Sequence, residues 1–479
     1  MTHTTDRATA RGAVQILISA AISLAAGLFL HVFLARTLQP QLYGILAVVT
    51  SVIIWWEAAA ANLIREATER AVAAAGEAWR GVAGTSLQAA LATSVLLAAL
   101  CWGVASLLAD ALGDQRLTGY IRLMALDIPL YVLWWQWSSV LNGRRLYGRR
   151  ALSHIAYWVA KAALMCGLVA LGWSVRGAII GSICASVVGL VVAWGLAGVG
   201  LPAARFPVRE LLVFGAPLMA LAIADRLMIS MDLWFVKAVI PDPDAAGVYG
   251  IAKYVFQAAI MLSLTVCGAA FPTLTRAIES GNDQSIEELI QQSSRFVILL
   301  TAPIMAIMAC CGRQIVTVVF GGAYAASAPA ITILVGAALL FGLRLVANTT
   351  LIAGNRPGLV LAISAPLVPL NIWLNYVLVS SHGLVGAATA TGVTFLCAAA
   401  AVWFFVWRRF EVLPFPISAL RVGIAAAAIY GLGLLLPAEG WLALLEAVGL
   451  GGLYLVILGI LRELTARDLE PLLFWRGAR

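Results

Sequence analysis

The feature that most constrains this chain is a succession of apolar segments, each about as long as a bilayer is thick, with no soluble-sized gap between them. A transmembrane helix needs about 20 mostly apolar residues. Fourteen such segments can be marked, at 12–35, 43–64, 83–109, 118–141, 151–172, 176–199, 211–238, 246–273, 293–319, 329–353, 359–380, 383–407, 418–437 and 440–461. Composition agrees, with 62% of residues hydrophobic and 11% charged, where a soluble domain is about half apolar and a quarter charged. The first segment is longer than a signal-peptide core and no polar mature region follows it, so it reads as a span. The seven cysteines fall in or beside apolar segments without CxxC spacing, which argues against a disulfide or zinc framework. The fold class expected is an all-α polytopic membrane protein.

Lys and Arg in short loops stay on the cytoplasmic side. With the N-terminus inside, 21 of the 31 basic residues fall in cytoplasmic segments and five, Arg36, Arg116, Arg122, Arg176 and Arg313, in external ones. Both termini are therefore expected in the cytoplasm. The net charge of +8 is mostly loop arginine, a topology signal and a contact for anionic lipid rather than for nucleic acid.

Three pairs of glycines recur at nearly one offset. Gly44 and Gly250 are 206 apart, Gly143 and Gly354 are 211 apart, and Gly177 and Gly386 are 209 apart, each pair in a matching turn. The spacing predicts a duplicated six-span unit with a parallel-repeat plan. The lobes are expected at 1–200 and 201–410, with the two appended spans and a cytoplasmic tail in 411–479. Substrate would bind between the lobes, and the appended spans, poor in charge, would face lipid.

The stretch "LARTLQPQLYG" at 34–44, with its echo Val248-Tyr249-Gly250, resembles the polysaccharide and lipid-linked oligosaccharide flippases (Wzx-like) of the superfamily that also holds lipid II flippases and multidrug extruders. Further matches are "LNGRRLYGRRAL" at 141–152, "FGGAYAASAPAITIL" at 320–334 and "HGLVGAATATG" at 382–392. Gln39 departs from the pattern, which has a glycine before the proline. The resemblance implies a bacterial inner-membrane transporter, not an enzyme. It implies transfer of an undecaprenyl-diphosphate-linked oligosaccharide from the cytoplasmic to the outer leaflet by alternating access, in the service of O-antigen or exopolysaccharide synthesis. Its partners would be that lipid-linked glycan, the bilayer and a polysaccharide polymerase. No cofactor or metal is implied, and coupling to a proton or sodium gradient stays open.

A charge at the bilayer centre is costly, so ionisable residues there face a bundle interior or a wet cavity. On the seventh segment Asp225 and Asp232 share one face, and Arg226 and Lys237 a neighbouring one. Arg226, Arg344, Lys161 and Lys253 are the candidates to hold a diphosphate, Arg through its fork and Lys as a point charge. Asp225, Asp232, Glu57 and Asp127 are candidate counter-ions or coupling groups, and Asn348, Gln257, Asn371 and Asn375 candidate supporting polar residues. Lys237, near the end of its segment, would snorkel. Trp134, Trp135 and Trp137 read as lipid-facing or belt residues, and His31, His154 and His382 as satisfied polar spots.

A phosphate loop would need Gly-Lys followed by Ser or Thr, and none of the three lysines follows a glycine. A membrane glycosyltransferase or polymerase needs convergent catalytic groups on a sizeable external loop, which the short external connections do not supply. Among transporters the rivals are a lipid II flippase and a multidrug extruder. A cationic drug would favour an acidic cavity.

Overall fold

The computed structural model describes residues 2–198, 206–413, 416–436 and 438–463, except for the side chains of 2–14, 17, 214, 218 and 416. Arg205, Arg467, Arg476, Arg479 and the side chains of Arg7 and Arg11, all expected in the cytoplasm, lie outside what is described.

The described chain is helical from end to end. The elements are α1 (Thr2–Ala74), α2 (Trp79–Ala111), α3 (Arg116–Met124), α4 (Asp127–Gly143), α5 (Tyr147–Leu168), α6 (Ser174–Ala197), α7 (Val208–Val239), α8 (Ala245–Ser280), α9 (Asp283–Val319), α10 (Ala328–Ala353), α11 (Pro357–Ser364), α12 (Leu367–Phe410), α13 (Pro416–Leu435) and α14 (Leu442–Ile460). Among the described residues, eleven helical stretches are long and apolar enough to cross a membrane. This makes the chain a multi-pass membrane protein. Three of the eleven are broken by residues outside the helical region: Gln39 in α1, Gly172 and Ser174 between α5 and α6, and Gly383 in α12. Each break falls at the junction of two segments marked in the sequence.

The breaks carry the duplication in their backbone geometry. Left-handed residues stand at Gly76, Gly113, Arg145, Ser174 and Gly198, and again at Gly281, Gly321, Asn355, Gly383 and Glu411. In that order the offsets are 205, 208, 210, 209 and 213. The hydrogen bonds repeat as well. After α4, Arg145 N donates to Asn142 O and Leu146 N to Leu141 O, both at 2.9 Å; after α10, Asn355 N donates to Ile352 O and Arg356 N to Leu351 O, again at 2.9 Å. A helix stop of this kind needs one left-handed residue, and its recurrence shows that turns, more than side chains, preserve the repeat.

Gln39 has φ 61 and ψ 169, a region that is essentially glycine's and costs other residues about 1–3 kcal/mol. Its side chain is exposed, so truncation loses no packing. Gln39→Gly should therefore stabilise the folded chain by about 1 kcal/mol, read as a rise in melting temperature in detergent; an unchanged or lowered value would show that the turn is not strained.

By packing, the chain divides into two compact units, Met1–Gly250 and Ile251–Arg479, with the boundary inside α8. The first includes α7, which packs along α1. Its core holds Trp134, Trp137 and Tyr157 among alanines of α2 and α6. This corrects the belt reading for two tryptophans: Trp134 is 1% and Trp137 3% exposed. Trp134 stacks on Tyr157 at 4.0 Å, donates from Nε1 to Ser153 Oγ at 2.9 Å, and fits where Gly189 leaves room.

In the second unit α13 and α14 pack on α9 through Val422, Ala425, Ile429, Leu450 and Leu458, and Tyr454 OH donates to Leu299 O at 3.0 Å. Glu463 ties the end of α14 to both neighbours, accepting from Arg295 Nε at 2.8 Å and Arg421 Nη1 at 3.2 Å. Their other faces leave Leu420, Ile424, Leu434, Leu445, Val448 and Val456 exposed, as a lipid-facing pair requires.

Candidate functional site

Two charges of α7 have partners within the first unit, on different elements. Lys237 Nζ lies 3.0 Å from Asp114 Oδ2 in the turn after α2, so it is paired rather than snorkelling. Asp232 is fully buried and accepts from Tyr249 OH at 2.8 Å. Trp234 Nε1 donates to Ser51 Oγ of α1 at 2.8 Å. Asp225 is half-buried and also engaged.

Asp114 accepts from Arg116 Nε and Nη2, both at 2.9 Å, as well as from Lys237. The Arg116 bonds foremost, helped by Lys237, outweigh burial and hold its carboxyl down at about 2. A depressed carboxyl stabilises the fold above the unfolded value near 4 and ceases to as pH falls through the folded value. The melting temperature should therefore drop between about pH 4 and pH 2, with about 1–2 kcal/mol lost. In Asp114→Asn that part of the profile should be absent, and an unaltered profile would exclude the clasp.

Arg226 faces a different neighbourhood. Glu57 of α1 is 6% exposed and lies within electrostatic reach of Asp127, Lys161 and Arg226. Three helices present their polar groups there at i,i+4 spacing, which places each pair on one helix face: Asp127 and Tyr131 on α4, Tyr157 and Lys161 on α5, Ser182 and Ser186 on α6. Lys161 Nζ donates to Tyr157 OH at 3.0 Å and lies 5.3 Å from the Tyr157 ring centroid and 5.6 Å from that of Trp158. Ser182 Oγ donates to Asp127 Oδ2 at 3.1 Å, with Ser186 beside the same carboxyl. His31 Nδ1 and Tyr43 OH are hydrogen-bonded at 2.9 Å, with Lys161 within electrostatic reach of the ring. Two carboxylates and two cations thus share one interior and their formal charges sum to zero. Arg226 itself makes no hydrogen bond or close ion pair among the described residues, so its fork of donors is uncommitted.

The other candidates belong to the second unit. Arg344 is wholly enclosed, with its guanidinium carbon 5.4 Å from the Phe341 ring centroid and 5.8 Å from that of Phe395 and Nη1 donating to Ser364 Oγ at 3.4 Å. Lys253 Nζ lies 4.6 Å from the Phe256 centroid, and Phe256 in turn neighbours Phe395 at 6.2 Å. One phenylalanine cluster therefore serves both cations, a favourable contact for a desolvated charge. Asn371 Nδ2 donates to Thr394 Oγ1 at 3.0 Å, and Asn375 Nδ2 to Asn371 O at 2.9 Å. Asn348 is buried, with Oδ1 unpartnered among the described residues. Gln257 is exposed. His382 meets Ser381 Oγ at 2.8 Å, whereas His154 Nε2 has no hydrogen-bond partner among the described residues, which corrects the expectation that it is satisfied.

A family model described as polysaccharide biosynthesis protein matches residues 33–329, more than half of the chain and all four members of the Glu57 cluster. The chain belongs to this family. The probable low-salt glycan biosynthesis flippase of Haloferax volcanii is 28% identical over 293 residues, 59% of this chain and 61% of that protein. The chain thus spans about three-fifths of the length of that curated relative. Among solved structures, the lipid II flippase MurJ in an inward closed conformation has a TM-score of 0.76 at 14% identity, covering 95% of this chain and 99% of that one. An inward-facing multidrug resistance MATE family transporter of the MOP superfamily has a TM-score of 0.70 at 14% identity, with 83% and 98% covered. At such identities the likeness is one of fold, and the fold is that of MOP-superfamily transporters. The charged residues of the Glu57 cluster were legible from their place in apolar segments. Tyr157 was legible with Lys161 from its helical spacing on the fifth segment; Tyr131, Ser182, Ser186 and the phenylalanines were missed, although the i,i+4 spacing of Asp127 with Tyr131 was a usable signal.

Proposed function

We propose that this protein is a flippase of polysaccharide biosynthesis that moves an undecaprenyl-diphosphate-linked oligosaccharide from the cytoplasmic to the outer leaflet of a bacterial inner membrane by alternating access. The observation that carries this is the cluster of Glu57, Asp127, Lys161 and Arg226 inside membrane-spanning helices of a polysaccharide biosynthesis protein. A diphosphate is recognised by a guanidinium fork and an ammonium point charge, and Arg226 and Lys161 supply one of each. Without cargo the two carboxylates neutralise the two cations, since an uncompensated buried charge is costly. With cargo the diphosphate takes their place, and the released carboxylates bias the protein toward its other access state. Within the second unit Arg344 and Lys253, held on phenylalanine faces, are candidates to hold an anionic group, and the lipid tail would stay in the bilayer.

The test is reconstitution of the purified chain into vesicles with a fluorescent undecaprenyl-diphosphate oligosaccharide. The expected result is protein-dependent exposure of the label to an external quencher. Movement of phosphatidylcholine at the same rate, or none of the glycan lipid, would refute the assignment. Reporter fusions test the accompanying topology. Those in the 142–150 loop should report cytoplasm and those at 242–244 the outside, and a reversal of either would sink the orientation.

A further inference from the structure

The α4–α5 junction, which holds Arg144 in the turn and Arg149 in the first turn of α5, takes no part in the charge cluster. Its arginines reach instead to the end of α6, where Arg144 Nη1 donates to Ala197 O at 3.0 Å and Arg149 Nη1 to Leu196 O at 2.9 Å. The Arg144 guanidinium carbon lies 4.0 Å from the ring centroid of Trp79, at the start of α2, and that of Arg80 lies 5.8 Å from the same ring. Two guanidiniums flank one indole, that of Arg149 stands within electrostatic reach of Arg144, and none of the three forms an ion pair among the described residues. Burial foremost, then repulsion from Arg149 and Arg80, holds Arg144 below the usual arginine range. The α6 carbonyls bear only partial negative charge. They orient two of the forks and leave donors to spare.

Leading to this point along α6 is an apolar stripe at i, i+4 and i+7. Val187, Val191 and Trp194 are 41%, 56% and 43% exposed. An exposed tryptophan near the end of the helix that the arginines reach marks the level at which such rings sit in a bilayer interface. An acyl chain on the stripe would bring its headgroup phosphate to the guanidiniums, a combination that neither free phosphate nor a polyanion would use.

We propose that Arg80 and Arg144 at Trp79, with the neighbouring Arg149 at the end of α6, bind the headgroup phosphate of an anionic phospholipid, at a site separate from the Glu57 cluster. The interaction is a charge-assisted, forked hydrogen bond to phosphate oxygens. Each basic residue near an anionic lipid surface contributes about 1 kcal/mol, or about five-fold in affinity.

Native mass spectrometry of the full chain with equimolar phosphatidylglycerol and phosphatidylcholine tests this. Phosphatidylglycerol adducts should predominate on the unaltered protein. Arg144→Gln and Arg149→Gln should each lower that preference about five-fold, Arg149→Lys should keep part of it, and Arg408→Gln in the second unit should leave it unchanged. Arg149 is exposed, so its variant should melt as the unaltered protein does in phosphatidylcholine, and it decides the matter even if Arg144→Gln fails to fold. An unaltered preference in the triple Arg80, Arg144 and Arg149 glutamine variant would overturn the site. So would an equal loss in Arg408→Gln, which would indicate net charge alone. Arginine-dependent binding of undecaprenyl diphosphate with no preference for phosphatidylglycerol would overturn it in favour of the cargo.

Discussion

Arg226→Ala is expected to leave a membrane-inserted protein that has lost at least nine-tenths of its transport of lipid-linked glycan at matched abundance. The guanidinium stands within electrostatic reach of Glu57 and its donors are uncommitted among the described residues. A charge-assisted bond to a diphosphate is worth about 1.5–3 kcal/mol, which is ten-fold or more in binding. Removing the cation also strands Glu57 and Asp127 with Lys161 alone. Breaking a buried charge set in this way costs about 3–5 kcal/mol before relaxation, and low abundance would then mimic lost function. The double variant Arg226→Ala with Glu57→Gln separates the two effects, since it restores neutrality. Abundance should recover in it and transport should not. Arg226→Lys should retain part of the activity, because the charge survives and the fork does not. Normal transport by Arg226→Ala at matched abundance would make the cluster a structural ion group and nothing more.

The second large effect is expected at the two glycines where α1 meets the start of α8. A Cβ on Gly44 would stand 2.6 Å from the backbone nitrogen of Gly247 and 3.1 Å from the carbonyl carbon of Ala246, and one on Gly247 would run into the carbonyl of Pro40. Both obstacles are backbone, so no rotamer change relieves them. Close approach of this kind is how membrane helices gain packing where lipid offers no hydrophobic drive. Gly44→Val and Gly247→Ala should each cost 3 kcal/mol or more, at the upper end for an overpacked core, and should largely abolish the folded protein in a fluorescence size-exclusion profile. Gly103 in α2 has open space around its Cβ position, so Gly103→Ala should be neutral or stabilise by up to about 1 kcal/mol. Equal loss in all three variants would mean that small size as such, rather than this crossing, is what matters.

Those same residues show what could be read before the structure. The stretch at 34–44 and the triplet 248–250 were recognisable as related turns, and the duplication followed from glycine spacing, because a helix stop needs a left-handed residue wherever it occurs. That the two stretches touch, with Gly250 3.2 Å from the Tyr43 ring at its Cβ position, could not be read from spacing. The break at Gln39 is a single residue rather than a loop, since one left-handed residue beside Pro40 suffices to redirect a helix.

That the chain is a bundle of membrane helices follows from its residues alone, because segment length and apolarity answer to bilayer thickness and not to neighbours. The residues also determined which side chains would be costly in that setting, and so which to ask about. Their company was set by helix packing. Asp232 met Tyr249, Lys237 met Asp114, Arg344 went between phenylalanines, and Arg226 joined Glu57, Asp127 and Lys161. Helical periodicity places a residue on a face, but which helix covers that face is set by ridges, glycines and kinks far away in the chain. For this reason α7, whose four charges read in isolation as one polar stripe, is divided among separate partners along its length.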